Sequence, residues 1–175
     1  MKGWLMAAAL LGFTAPVLAD VTVEMQELND QGTGESLGTV TFEDSQYGLL
    51  IKPDLQGLPA GTQHGFHLHQ NPSCAPSTSD GETTPGGAAG GHFDPADTGT
   101  HAGPYVEQSH LGDMPVLMVD QQGSATTPML APRLQEADLA GHAVIVHEGG
   151  DTYDEPPRLG GGGGRLACGV IAESD

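Results

Sequence analysis

The residues most able to do chemistry are histidines, all eight lying between His64 and His147. His67 and His69 differ by two within HGFHLH, so on a strand their rings share one face, about 6.6 Å apart along the chain, and can converge on one transition-metal ion. His92, His101 and His110 follow at intervals of nine, with Asp113 three further on. Three imidazoles and a carboxylate make a closed tetrahedral shell suited to zinc, structural rather than catalytic because no position is left open. A filled shell also excludes a zinc hydrolase, which needs a vacancy and a general base. His147 ends the apolar run Ala143-Val144-Ile145-Val146, where a side chain can leave the core and meet a ligand. Asp151, four residues later, is placed to accept from the ring nitrogens that coordinating histidines leave over.

These side chains need strands and ordered loops to hold them. Apolar and polar residues alternate in short runs at Val21–Met25, Leu37–Phe42, Gly48–Lys52, Thr62–His69, Pro115–Asp120, Ala125–Leu130, His142–His147 and Ala167–Ala172. About eight strands with no amphipathic helix predict an all-β fold, an eight-stranded antiparallel sandwich or barrel. Two connections exceed hairpin length. The first, Gln70 to Asp113, is 44 residues long, and fourteen of its first twenty-two are Gly, Pro, Ser or Thr. A connection beyond roughly 12–15 residues is functional or disordered; this one carries Cys74 and four ligand candidates, so it is expected to be ordered by a disulfide and an ion. The second, Glu148 to Arg165, contains five consecutive glycines, Gly160–Gly164, which are either flexible or held by their flanks.

Of 175 residues, 5 are Lys or Arg and 23 Asp or Glu, for a formal charge of −18. So acidic a chain lacks the basic footprint that nucleic acid or an anionic membrane surface requires. Residues 1–19 read as a cleaved secretory signal: Lys2, an apolar run from Trp4 to Phe13 too short to span a bilayer, then Val17-Leu18-Ala19 before Asp20. Residues 20–175 are expected to form one domain. Removing the signal takes away one lysine and no acid, which leaves 4 bases against 23 acids, a formal −19. In an exported chain the two cysteines, Cys74 and Cys168, are expected as one disulfide.

HGFHLH (64–69), GGHFDP (90–95), HLGDMPVL (110–117), AGHAVIVHEGGD (140–151) and LGGGGGRLACGVI (159–171) resemble, in order and spacing, copper/zinc superoxide dismutase of the bacterial periplasmic branch. The resemblance implies a Greek-key β-barrel with two long functional loops and one copper and one zinc ion per subunit. By it His67, His69, His92 and His147 hold copper, and His92 bridges to zinc held also by His101, His110 and Asp113. It further implies that Asp151 links a copper histidine to a zinc histidine, that Arg165 orients the anionic substrate, and that a Cys74–Cys168 disulfide helps place Arg165. His92 and Arg165 would be the catalytic side chains. His64 faces away from His67 and His69 as a structural hydrogen-bonder, and no ligand role carries over to His142.

The implied reaction converts two superoxide anions and two protons to dioxygen and hydrogen peroxide in the periplasm, by a monomer or a homodimer. Its alternative is an exported copper-binding module of the same fold with little turnover, although such relatives usually lack a ligand or the arginine. The departures concern charge. Glu148, Asp151, Asp154 and Glu155 stand against Arg158 and Arg165 in the second loop, and Lys52 is the one lysine after residue 19. Weaker steering than usual is expected, with Arg158, where relatives tend to have Pro-x-Pro-Leu, as a substitute guide.

Overall fold

The computed structural model describes residues 20–173; the expected signal segment, 1–19, lies outside them. Eleven strands occur among the described residues: β1 (Val21–Asn29), β2 (Gly32–Ser45), β3 (Gly48–Leu55), β4 (Gln63–His64), β5 (Phe66–His69), β6 (Ser77–Ser79), β7 (Glu82–Thr84), β8 (Leu117–Met118), β9 (Met129–Ala131), β10 (His142–His147) and β11 (Arg165–Ile171). Seven form one antiparallel sheet in the order β5-β10-β11-β1-β2-β3-β9, which seats the last strand beside the first, as a Greek-key barrel requires. β4 pairs with β8, and β6 with β7.

All eight expected runs appear as strands or parts of strands. The run at 62–69 is split at Gly65, and those at 115–120 and 125–130 keep ladders of only two and three residues. The β6–β7 hairpin inside the first long loop was not expected; its residues are all exposed, so it carries no burial pattern. No α-helix occurs among the described residues, and no helix there is long and apolar enough to cross a membrane.

Alternation builds the core. β3 turns Leu49, Ile51 and Leu55 inward, β1 Val23 and Met25, β5 Phe66 and Leu68, and β10 Val144 and Val146, all in one buried cluster. Directly opposed residues of an antiparallel pair share a face. His69 opposes Ala143 and His67 opposes Ile145, so the metal-type histidines lie on the outer face of the barrel wall, away from the core. Two loops must therefore cover them.

Candidate metal centre

Both ends of the first long loop run alongside β5. Gln70 and Phe93 donate backbone N–H groups to Gly91 O and Leu68 O, at 3.0 and 2.8 Å, and Leu68 N–H donates to Gly112 O at 2.9 Å. Gly112 must be glycine, because a Cβ there would come within 2.3 Å of Leu68 O. Isolated bridges join His69 to His92 and His67 to Asp113. Histidines far apart in sequence thus become neighbours of β5.

The second loop closes from the other side. Glu148, Gly149 and Thr152 donate backbone N–H groups to Gly164, Gly162 and Gly160 carbonyls at 2.9, 2.8 and 3.0 Å. The glycine run is therefore held by its flanks. Gly160, at φ +64°, lies against Asp151 and His101, where a Cβ would fall 1.8 Å from Asp151 Oδ1.

The candidate ligands gather into two groups with potential ligand atoms within 4.8 Å of one another: His67, His69, His92 and His147, and His67, His92, His101 and Asp113. His67 and His92 belong to both, their rings stacked with centroids 4.0 Å apart. His110 is not in the second group, but its Nδ1 lies 3.4 Å from Asp113 Oδ1. Every histidine in these groups is buried, as are Asp113 and Asp151, while His110 is partly exposed.

Asp151 fixes two of the rings. Its Oδ2 accepts from His67 Nε2 at 2.8 Å and its Oδ1 from His101 Nε2 at 2.9 Å. A carboxylate only accepts, so both Nε2 atoms carry protons and the Nδ1 atoms face inward as the coordinating positions. His69 Nδ1 donates to Gly90 O at 3.0 Å, which leaves its Nε2 3.4 Å from His147 Nε2. His67 Nδ1, His92 Nε2, His101 Nδ1 and His110 Nδ1 are buried without a hydrogen-bond partner. An unsatisfied buried polar atom costs about 1–3 kcal/mol; four converging ring nitrogens form a donor set that a metal pair fits.

The charges agree. Burial, reinforced by the His92 ring, pulls His67 down to about 3, and burial with His92 pulls His147 down to about 4, so both are neutral and ligand-competent at pH 7. Burial opposes ionisation of Asp113, but the close rings of His101 and His110 and hydrogen bonds from His92 and Ser109 outweigh it and hold the carboxyl far below its usual range. For His101 burial lowers the pKa, yet the Asp113 carboxylate 3.1 Å from its Nδ1 and the Asp151 carboxylate bonded to its Nε2 raise it to about 10.

A cavity of about 500 Å³ opens onto His69, His92 and His147, with Arg165, Arg158 and Thr84 on its walls. No carboxylate lines it among the described residues. Glu148 lines a neighbouring cavity, Asp151 is engaged by the histidines, and Glu155 Oε1 accepts Leu159 N–H at 3.0 Å. Arg165 donates to Gly86 O and, at 2.6 Å, to Gly90 O. The Cys74–Cys168 disulfide, with Cα atoms 5.8 Å apart, ties the segment bearing these carbonyls to β11. His64 bonds Thr62 Oγ1 and His147 O at 2.8 and 2.7 Å, a structural role, and the His142 ring packs against Phe93 at a tilt of 42°.

Three participants carried no sequence signal. Ser109 Oγ donates to Asp113 Oδ2 at 2.5 Å. Tyr153 donates its N–H to Asp151 Oδ1 at 2.8 Å, while its hydroxyl accepts Val116 N–H at 2.7 Å. Arg133 grips carbonyls of the first loop. Serines, tyrosines and arginines at such spacings are ordinary surface residues, and only the folded contacts set these apart.

Residues 36–171 match the family described as copper/zinc superoxide dismutase. The chain is 50% identical over 169 residues to superoxide dismutase [Cu-Zn] 1 of Salmonella typhimurium, covering 95% of each. It superposes on Cu/Zn superoxide dismutase from Brucella abortus with a TM-score of 0.84 and 42% identity, covering 87% of this chain and 99% of that one. For the monomeric copper, zinc superoxide dismutase from Salmonella enterica the TM-score is 0.77 and the identity 48%, over 87% and 99%. With histidine groups that fit both metals and identity of this extent across nearly the whole chain, the protein belongs to the copper/zinc superoxide dismutase family.

Proposed function

We infer that this chain is a superoxide dismutase, an oxidoreductase that turns two superoxide anions and two protons into one dioxygen and one hydrogen peroxide. The observation that carries the reading is the pair His67 and His92, which belong to both ligand groups, with the Asp151 carboxylate on His67 Nε2 so that His92 is left to join them. When bound, copper supplies one-electron exchange with superoxide, and zinc supplies a fixed positive charge beside His92.

In this reading His67 through Nδ1, and His69, His92 and His147 through Nε2, would hold copper. His92 Nδ1, His101 Nδ1, His110 Nδ1 and Asp113 would hold zinc. The orphaned nitrogens of His67, His92, His101 and His110 support that division. His67 is assigned to copper alone because Asp151, which also bonds His101, engages its Nε2 and leaves one nitrogen for a metal. Arg165 draws the anion into the cavity and orients it. His92 would hold at Nε2, whenever that atom is not a ligand, a proton taken from solvent and give it to the peroxide product; the second proton would come from solvent directly.

Residues 1–19 act as an export signal and 20–175 as a single periplasmic domain in this proposal, supported by the leader-like sequence and by bacterial relatives. Sedimentation separates the two assemblies open to it, a homodimer and a monomer of the kind described for Salmonella enterica.

The deciding experiment combines metal analysis with pulse-radiolysis measurement of superoxide decay. One copper and one zinc per chain with rapid catalytic decay is the expected result. Both metals bound without turnover would leave a copper-binding module instead.

A further inference from the structure

We propose that Arg133 is a positioning residue for the zinc half of the centre, clasping the segment between His101 and Asp113 so that Ser109 and His110 meet Asp113 correctly. The proposal rests on the assignment of zinc to His92, His101, His110 and Asp113.

Arg133 lies two residues beyond β9, the strand at one edge of the seven-stranded sheet, whereas the first long loop leaves from β5 at the other edge. Its half-buried guanidinium spans that seam. Nε donates to Pro104 O at 3.1 Å, Nη1 to Glu107 O and Ser109 O at 3.3 and 3.0 Å, and Nη2 to His110 O. Four carbonyls within seven residues of loop converge on one side chain.

The tip of that segment has little other hold. Residues 102–110 contain no strand or helix; Gly103, Pro104 and Ser109 are buried, but 105–108 between them are exposed, Tyr105 at 65% and Val106 at 42%, so the core does not fix that stretch. What the clasp does fix reaches the ligands directly. Ser109 Oγ accepts Ala102 N–H at 2.7 Å, next to His101, and donates to Asp113 Oδ2. His110 N–H donates to Thr100 O at 2.9 Å, on the other side of His101. Planar, forked donors are needed for four divergent carbonyls; a lysine ammonium carries the same charge but has three donors at one point.

The last distinction gives the test. Arg133→Lys retains a cation near Asp113, so a role in charge balance alone would survive it. A clasp would not. Zinc affinity is measured by chelator competition, and site geometry by the visible bands of Co(II) bound in place of zinc, with near-UV circular dichroism to verify the fold. Losing a residue that orients ligands costs about 10- to 100-fold in metal affinity, and that is the expected weakening for Arg133→Lys, with altered Co(II) bands and copper affinity within a few-fold of the parent. The effect should shrink when Ser109→Ala is already present, because Ser109 carries it to Asp113.

Unchanged zinc affinity and Co(II) bands in Arg133→Lys overturn the proposal, as do equal losses of both metals or additive effects with Ser109→Ala. If the parent chain takes up no zinc, the zinc assignment falls and the clasp with it; if the parent binds zinc and Arg133→Lys binds it equally, only the clasp falls.

Discussion

Arg165 and His69 donate to the same backbone oxygen, Gly90 O, at 2.6 and 3.0 Å. One carbonyl thus sets the guanidinium expected to receive the anion and the ring tautomer of a proposed copper ligand. Gly90 also sits in the segment that Cys74 ties to β11, so substrate orientation and metal geometry depend on the same stretch of loop.

Arg165→Ala removes the partly buried cation from the cavity wall while leaving every metal-group histidine in place. The second-order rate constant for superoxide decay is expected to drop by roughly tenfold or more, with copper and zinc content unchanged. Loss of copper in proportion to activity would instead make Arg165 a structural support of His69.

The double variant Cys74→Ser, Cys168→Ser tests the loop anchor. The two cysteines are 94 residues apart, and loss of a native disulfide from a small secreted domain typically costs about 2–5 kcal/mol. Urea unfolding of the metal-loaded protein should show a loss in that range. At urea concentrations where the variant remains folded, turnover should also fall, because Gly86 and Gly90 are no longer held against Arg165.

Asp151→Asn keeps the size of the side chain but leaves one acceptor where two are used. Either His67 or His101 must then lose its bond, and with it the tautomer that turns Nδ1 inward. Zinc affinity is expected to fall about 10- to 100-fold, measured by chelator competition; parent-like affinity would remove Asp151 from the account.

Arg158 is the one described basic residue without a hydrogen-bond or ion-pair partner: Lys52 pairs with Glu43, Arg133 holds four carbonyls and Arg165 two. It also lines the cavity. For Arg158→Ala the rate should fall several-fold at low ionic strength and converge on the parent near 1 M salt, where the Debye length is about 3 Å. Parallel curves across the salt series would exclude a steering role.

Zinc uptake by the metal-free protein should release protons. His101, raised to about 10 by Asp113 and Asp151 against the effect of burial, is protonated at pH 7, and a ligand must lose that proton to coordinate. Zinc affinity should therefore rise with pH between about 6 and 8. Calorimetry in buffers of different ionisation enthalpy counts the protons; a pH-independent affinity would contradict the raised pKa.

Much of the centre was legible because its local rules act over two to four residues. His67 and His69 share a face because a strand alternates, and the same alternation sends Phe66 and Leu68 into the core. The acidity, by contrast, spoke to the whole molecule and not to the ligand: no described carboxylate lines the cavity that an anion would enter. The β6–β7 hairpin escaped notice because its exposed polar residues follow no periodicity.

By itself, then, the sequence determined the core strands, the ligand types, the paired cysteines and the two long loops, since each follows from side-chain chemistry and short-range backbone geometry. Tertiary structure alone decided which nitrogen of each imidazole faces inward, that the glycine run is held rather than free, and that Arg133 spans two distant edges of the sheet. Those outcomes depend on carbonyls and carboxylates brought together across tens of residues, and no local pattern records where a closed loop will place its backbone oxygens.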